Sequence, residues 1–373
     1  MKKVLFLINT LEGGGAEKIL VETANSLDKN KYQITVQTVI NKGIHKASLS
    51  PQVRYKTIIP FKNNFLQKVF SKILFKMLGC SFVYNFFVKD KYDYEIAFLE
   101  GLPTKILSNS TNKIGKKYAW LHTDIESYPN SFKVFSSELK EKEAYKKFDK
   151  IFCVSESVRQ SIQHKYGIET SNLEVVYNII DDTAILMASR EIVDISSFKK
   201  PLFISVGRLK KVKGYDRLLR VHNQLIKEGF LHTLLILGDG EEYPFLEKYI
   251  RENNLQATAF LLGFQINPYK YISKADLFIC SSLAEGYSTV VSEAVLCGVP
   301  VLSTNVAGAN EPYDSPRCSL VIDNNEVALY NSLKKLLLCP QKLTELKNDV
   351  LSKKNAFEKN KMIQKFEEEV FIN

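Results

Sequence analysis

Two glutamates, Glu285 and Glu293, stand in the run Ser282-Leu283-Ala284-Glu285-Gly286-Tyr287-Ser288-Thr289-Val290-Val291-Ser292-Glu293-Ala294-Val295-Leu296-Cys297-Gly298-Val299-Pro300-Val301. The run follows an apolar strand-like stretch, passes through a loop of small residues and continues as a helix. The leading N–H groups of a helix have no intrahelical partner and carry partial positive charge. Ser288, Thr289 and Val290 would present such donors, a cradle suited to a diphosphate. Carboxylates do not bind phosphate, but they accept hydrogen bonds from the hydroxyls of a sugar or a ribose. Phosphate donors beside hydroxyl acceptors point to a nucleotide sugar, with Tyr287, Ser288, Thr289, Val290 and Glu293 as substrate contacts. The competing reading makes Glu293 a surface helix residue and Glu285 a partner of the helix dipole.

A second element reads Val206-Gly207-Arg208-Leu209-Lys210-Lys211-Val212-Lys213-Gly214. It follows an apolar strand, and in open α/β sheets ligands bind at the carboxyl ends of strands. Gly207 gives close approach there, and Arg208 and Lys213 would neutralise a diphosphate leaving group. The alternative is a solvated basic loop. His122 closes the strand-like Ala119-Trp120-Leu121. An imidazole at that position could hydrogen-bond a sugar, although a lone histidine is more often structural. Asp124 either orients it or caps the next helix.

The elements that must position these groups alternate. An apolar strand at 4–8, the loop Gly13-Gly14-Gly15, a helix at 16–27 and a strand at 32–40 open a parallel α/β domain. Further strands are expected at 94–98, 117–121, 150–154 and 173–176. The pattern stops near Asn178-Ile179-Ile180-Asp181, and a second series starts at 202. It predicts strands at 202–206, 233–237, 259–262, 275–280 and 299–303, with helices at 215–228, 243–253 and 289–297. We therefore expect a first domain over 1–180, a second over 181–355 and a terminal helix over 356–373. The tail places Met362, Ile363, Phe366 and Val370 at helical spacing.

The 373 residues are 45% apolar and 25% charged, ordinary for a folded protein. Lys and Arg outnumber Asp and Glu by 51 to 41, a net charge of +10 that fits an anionic partner. No nucleic-acid module is present, and charge alone does not argue for one. Cys80, Cys153, Cys280, Cys297, Cys318 and Cys339 form no CxxC pair, which suits free thiols in a reducing cytosol and offers no zinc site. The apolar run at 4–8 is too short for a signal peptide. No apolar stretch approaches the roughly 18 residues of a membrane span, so membrane contact would be peripheral, on the inner face. A nicotinamide dehydrogenase would need G-x-G-x-x-G after the first strand, which Gly13-Gly14-Gly15 does not supply.

Residues 65–78, read as one helix, put Leu66, Val69, Phe70, Ile73, Leu74 and Met77 on one face and Lys68, Lys72 and Lys76 on the other. That pattern suits contact with an anionic membrane. A core helix with a wet lysine face has the same period.

Taken together, the array resembles glycosyltransferase family 4, retaining enzymes with the two-domain GT-B fold. Its Glu-x7-Glu signature is similar to Glu285 and Glu293 with Gly286, Ala294, Gly298 and Pro300. Its other elements resemble Gly207-Arg208 with Lys213-Gly214, Gly238-Asp239-Gly240, Asn178 with Asp181, and Gly13-Gly14-Gly15 with Glu17. Ala307 departs from the family's paired glycines. The resemblance spans nearly the whole chain. It implies two Rossmann-like domains with parallel sheets facing across a cleft, and a tail helix crossing back to the first domain. It further implies that Arg208 and Lys213 bind the donor diphosphate and Glu293 the ribose. Glu285 and His122 would meet the transferred sugar, the backbone around Gly263 and Phe264 the base, and Gly14 and Gly15 the phosphate. The activity implied is metal-independent, cofactor-free transfer of a hexose or N-acetylhexosamine from a nucleotide-diphosphate sugar, a UDP-sugar by family habit. The acceptor would be a glycan or lipid-linked sugar in surface polysaccharide or capsule synthesis. The alternative is a non-catalytic GT-B accessory subunit binding a partner or glycan.

Overall fold

Strands rich in Val, Ile, Leu and Phe alternate with helices along the whole chain, and a chain of this kind buries its strands on both faces. A computed structural model describes residues 1–126, 131–309, 311, 319–351 and 358–372, without the side chains of residues 131 and 132. The chain divides into two units, 1–179 with 360–373, and 180–359.

The first unit carries β1 (Lys2–Ile8), α1 (Gly15–Ser26), β2 (Tyr32–Ile40), β3 (Arg54–Ile59), α2 (Asn64–Lys72), α3 (Gly79–Phe87), β4 (Tyr94–Ala97), α4 (Leu102–Leu107), β5 (Lys116–Leu121), α5 (Glu138–Tyr145), β6 (Lys150–Cys153), α6 (Glu156–Tyr166) and β7 (Leu173–Val175). Its strands form one parallel sheet in the order β3-β2-β1-β4-β5-β6-β7. The second unit carries α7 (Asp182–Ser189), β8 (Leu202–Val206), α8 (Tyr215–Lys227), β9 (Thr233–Leu237), α9 (Tyr243–Glu252), β10 (Ala259–Leu261), α10 (Tyr269–Ile272), β11 (Leu277–Cys280), α11 (Thr289–Leu296), β12 (Val301–Thr304), β13 (Ser319–Ile322), α12 (Glu326–Leu338) and α13 (Pro340–Leu351). Its parallel sheet runs β10-β9-β8-β11-β12-β13. Two cores cover its faces, one gathering Phe203, Leu219, Leu234 and Leu302, the other Ile204, Leu235, Phe278, Ala294 and Val301. The chain ends in α14 (Lys359–Glu367) and a wider turn over Glu368–Ile372. Phe366 stacks on Trp120 at 5.2 Å, and the Tyr94 hydroxyl donates to the Phe371 carbonyl at 2.8 Å.

Two strands have no counterpart in the sequence expectations, β3 and β13, and both are sheet edges. Edge strands carry polar residues that blunt them. Arg54 and Lys56 of β3 pair with Asp90 at 3.0 and 2.6 Å, and these charges hide the strand's alternation. The strand expected at 299–303 begins instead at Val301, because the Val299 amide is used to close α11 on the Ala294 carbonyl. The single helix expected over 65–78 is also corrected: α2 stops at Lys72, a wider turn occupies Ile73–Leu78, and Gly79 opens α3 at φ +82°.

Candidate functional site

In each sheet the strand order reverses once, between β1 and β4 in the first and between β8 and β11 in the second. Loops leaving neighbouring strands at such a point diverge and open a crevice at the carboxyl ends. In the second unit these loops are Gly207–Gly214 after β8 and Ser281–Ser288 after β11, the two segments singled out by their chemistry.

Backbone and side chains staple the two loops together. The Leu283 amide donates to the Val212 carbonyl at 2.7 Å, and Ser281 Oγ donates to the Lys213 carbonyl at 3.0 Å. Gly214 makes the approach feasible. It turns at φ +64°, and a Cβ there would lie 2.2 Å from the Ser281 carbonyl oxygen. On the other side, Gly238 sits at φ +138°, where a Cβ would lie 1.9 Å from the Gly207 carbonyl oxygen. The Leu209 amide bonds to the Asp239 carbonyl at 2.9 Å. The Gly-Asp-Gly turn thus serves as a backstop for the Gly207-Arg208 loop.

Lys213 and Glu285 meet at the centre. Lys213 Nζ donates to Glu285 Oε1 at 2.5 Å, and Ser282 Oγ donates to the same oxygen at 2.5 Å. Both side chains are largely withdrawn from water, at 24% and 11% exposure. Burial works against the ammonium, but the adjacent Glu285 carboxylate wins and raises the Lys213 pKa, while Arg208 nearby pulls it down. A fixed cation therefore stands here, with the charge of Arg208 close enough to be felt. Lys213, Tyr215, Ser282, Glu285, Ser288 and Val290 line a small cavity. Ser288 occupies the N-cap of α11, yet no side chain caps that helix. Its Oγ is buried and has no hydrogen-bond partner among the described residues. An uncapped helix start and a spare hydroxyl thus share a cavity with a half-buried lysine, a set of donors whose chemistry suits an anion with several oxygens.

The remaining residues of the second unit fall around this centre. Glu293 is buried on α11, so the reading of it as a surface residue is corrected: all of Val291–Leu296 is buried, because α11 packs on β11 and β12 and is flanked by α7 and α10. Glu285 is an ion-pair and hydroxyl partner rather than merely a counter-charge for the helix. Tyr287 turns its ring inward, with its hydroxyl 3.2 Å from Ser292 Oγ. Thr289 opens α11. Gly263, at φ +68°, gives its carbonyl to the Gly238 amide at 2.8 Å, and the Phe264 ring beside it is exposed.

Gly14, Gly15 and His122 belong to the first unit, at the carboxyl ends of β1 and β5. Gly14 is the N-cap of α1, again without a side-chain cap, and Gly15 is its first residue. The His122 ring packs 4.8 Å from Phe98, and its Nε2 is buried without a partner among the described residues. Burial lowers its pKa to about 3, so the imidazole is neutral at physiological pH. Asp124 accepts the Glu126 amide at 2.9 Å within a turn, so it caps no helix among the described residues, and the capping alternative is corrected. Asn178 is buried, and Asp181 caps α7 through the Ala184 amide. Of the cysteines, Cys80, Cys153, Cys280, Cys297 and Cys339 are free thiols, and Cys318 lies outside the described residues.

Sequence reasoning passed over two supports. Arg217 of α8 is buried and contacts the Ser281 and Ser282 carbonyls at 2.7 and 2.8 Å and Asn324 Oδ1 at 2.7 Å. Glu100 accepts the His122 amide and, at 2.6 Å, the Thr123 amide on one carboxylate oxygen. Burial raises the Glu100 pKa to about 7, although those two amides oppose the rise. Its folded pKa lies above the ordinary value, so the folded state binds more protons, and stability falls as pH rises from about 4.5 to about 7. Glu100→Gln keeps an accepting oxygen without the charge. We expect its stability relative to the native protein to improve by about 1–3 kcal/mol between pH 5 and pH 8, read by urea unfolding. A difference that does not change with pH would refute the linkage.

Residues 190–352 match the family profile described as "Glycosyl transferases group 1", and residues 118–184 match "Glycosyltransferase Family 4". Between them they cover more than half of the chain, and the first contains the whole Lys213–Glu285 site.

The chain belongs to glycosyltransferase family 4.

Among the relatives of this glycosyltransferase, one from Campylobacter jejuni is 27% identical over 97% of both chains. It is an N-acetylgalactosamine-N,N'-diacetylbacillosaminyl-diphospho-undecaprenol 4-alpha-N-acetylgalactosaminyltransferase. The lipopolysaccharide 1,6-galactosyltransferase of Salmonella typhimurium is 24% identical over 72% of this chain and 76% of its own. Among solved structures, Anabaena HepE in complex with UDP-glucose superposes with a TM-score of 0.77 over the full length of both chains, at 18% identity. Staphylococcus aureus TarM, in a complex that includes UDP, gives 0.74 over 98% of this chain and 99% of its own, at 14% identity. These structural likenesses establish the fold: two Rossmann-like parallel sheets of the GT-B type.

Proposed function

We propose that this glycosyltransferase moves a hexose or N-acetylhexosamine from a UDP-sugar to a glycan or lipid-linked acceptor of a surface polysaccharide, with retention at the anomeric carbon. The observation that carries the reading is the meeting of a half-buried, charged Lys213 with the uncapped start of α11 and the Ser288 hydroxyl, unpartnered among the described residues. Support for UDP comes from the fold neighbours crystallised with it, and support for a lipid-linked acceptor from the diphospho-undecaprenol substrate in the name of the Campylobacter jejuni relative.

In this reading the acceptor hydroxyl oxygen bonds to the anomeric carbon from the side the diphosphate leaves. The bond from that carbon to the β-phosphate oxygen breaks, and both electrons depart with the phosphate, which takes the acceptor's proton. Lys213, Arg208 and the amides of Ser288, Thr289 and Val290 stabilise the charge that grows on the leaving group. Glu293 accepts from the ribose hydroxyls, Glu285 and His122 meet the sugar, and Gly263 and Phe264 flank the base. Gly14, Gly15, Gly207 and Tyr287 contribute close backbone approach. No cofactor or metal enters these steps.

The test is a screen of nucleotide sugars for slow release of nucleoside diphosphate, followed by determination of the anomeric configuration of any product by NMR. We expect one UDP-sugar to stand at least tenfold above the rest and the product to keep its configuration. Turnover of no nucleotide sugar, with or without a polyprenyl-linked acceptor, would favour the accessory-subunit reading. An inverted product would overturn the mechanism alone.

A further inference from the structure

Between Lys29 and Lys89 the chain has eleven Lys or Arg residues and no Asp or Glu. With 41 acidic residues in 373, about seven would fall in a stretch of that length by average composition. The end of this stretch is the α2–α3 segment, where the fold does something unusual with apolar side chains. Phe65, Leu66, Val69, Phe70, Ile73, Met77, Leu78, Phe82 and Phe86 are all exposed, Phe65 at 72% and Met77 at 77%. Lys62, Lys68, Lys72, Lys76 and Lys89, between and beside them, are exposed as well.

A narrow inner edge anchors the segment. Gln67 is buried and donates to the Phe61 carbonyl at 2.7 Å, Leu74, Cys80 and Val83 are buried, and the Tyr84 hydroxyl donates to the buried Glu95 carboxylate at 2.7 Å. Of the face that the period defines, only Leu74 goes inward, so the core-helix alternative does not hold. Past the wide turn at Ile73–Leu78 and the bend at Gly79, Phe82 and Phe86 stack on each other at 5.5 Å, and both stay exposed. Scattered exposed apolar residues need no explanation, but nine along one short segment do.

We propose that α2 and α3 form a docking surface for an anionic lipid bilayer, lying flat in the headgroup layer. The phenylalanines and Met77 enter the acyl boundary and the lysines meet lipid phosphates. The pattern selects this occupant: a nucleic acid could stack on the phenylalanines but would leave Leu66, Val69, Ile73, Met77 and Leu78 without an apolar partner, and a second copy would bring lysines against lysines. Among the described residues no helix is long and apolar enough to cross a membrane, so attachment here is by lying on the surface.

The experiment is flotation of the purified protein with phosphatidylcholine vesicles, with and without phosphatidylglycerol, in the absence of donor and acceptor. Failure of binding is thereby separate from failure of the transfer reading. We expect co-flotation with the phosphatidylglycerol vesicles, weakened by salt. A Phe65→Ser, Met77→Ser, Phe82→Ser variant should bind at least tenfold less, and a Lys68→Glu, Lys72→Glu, Lys76→Glu variant should lose the preference for anionic lipid. All six side chains are exposed, and an unchanged melting temperature confirms that each variant is folded. The proposal is overturned if the native protein stays with the aqueous fraction, or if the apolar variant floats as well as native. It is equally overturned if the native protein is a dimer that the apolar variant dissolves, since a second copy would then own the face.

Discussion

Replacing Lys213 with alanine is expected to lower kcat for sugar transfer by about a hundred- to a thousandfold, the range seen when one preorganised donor to a developing oxyanion is removed. Lys213 is held at 2.5 Å from Glu285 on a turn stapled to the Ser281–Ser288 loop, so its ammonium does not have to be ordered when a substrate arrives. The substitution also leaves the Glu285 carboxylate, at 11% exposure, without its cation. We therefore expect a stability loss of about 1–3 kcal/mol, smaller than for a fully buried pair because water reaches the lysine side. Stability and catalysis separate in a cycle with Glu285→Gln. If Glu285 acts only by holding Lys213, the double variant is no slower than Lys213→Ala; if Glu285 also meets the sugar, it is slower. Transfer is measured with labelled donor and stability by thermal unfolding. Native kcat in Lys213→Ala would remove the leaving-group role.

The parts of this site that were legible in the sequence are those whose chemistry is local. Gly207-Arg208 after an apolar run, the small-residue loop before Thr289 and the Gly-Asp-Gly turn all announce backbone that must come close to something. Their positions at strand ends follow from the alternation of elements. The Lys213–Glu285 pair spans 72 positions, so neither residue announces the other, although each could be suspected alone. Glu293 shows the limit of periodicity: α11 is buried on all sides, and no pattern in the sequence distinguishes its buried glutamate from an exposed one. Glu100 left no trace because its partners are backbone amides beyond the next strand. The lysine-flanked helix at 65–78 was ambiguous for a physical reason: an apolar stripe fits a protein core and a bilayer equally, and only the packing of Leu74 inward and Phe65, Phe70 and Met77 outward separates them.

Arg217 left a faint trace, and it carries the second large prediction. It stands on α8 among Tyr215, Leu218, Leu219 and Val221, where a cation on a buried face requires partners. Those partners are the carbonyls of Ser281 and Ser282, while Asn324, itself bonded to Arg217, donates to the Leu283 carbonyl at 2.9 Å, and Thr304 Oγ1 donates to the Ser282 carbonyl at 2.7 Å. The first three carbonyls of the loop leaving β11 are thus each held by a side chain, and the guanidinium's planar fork serves two of them at once. Burial lowers the Arg217 pKa without bringing it near neutrality. Arg217→Ala removes the guanidinium from the Ser281 carbonyl and leaves the Ser282 carbonyl to Thr304 alone, and we expect a loss of about 3 kcal/mol. Arg217→Lys can reach one carbonyl but not form the fork, and should recover less than half. Because the same loop carries Glu285 and leads into Ser288, the alanine variant should also bind UDP at least tenfold more weakly, read by calorimetry at a temperature where the protein remains folded. Weaker stability with unchanged nucleotide affinity would mean that Arg217 supports the sheet and not the site. Loss of both would mean that the anion cradle depends on a rigid loop whose anchor lies one helix behind it.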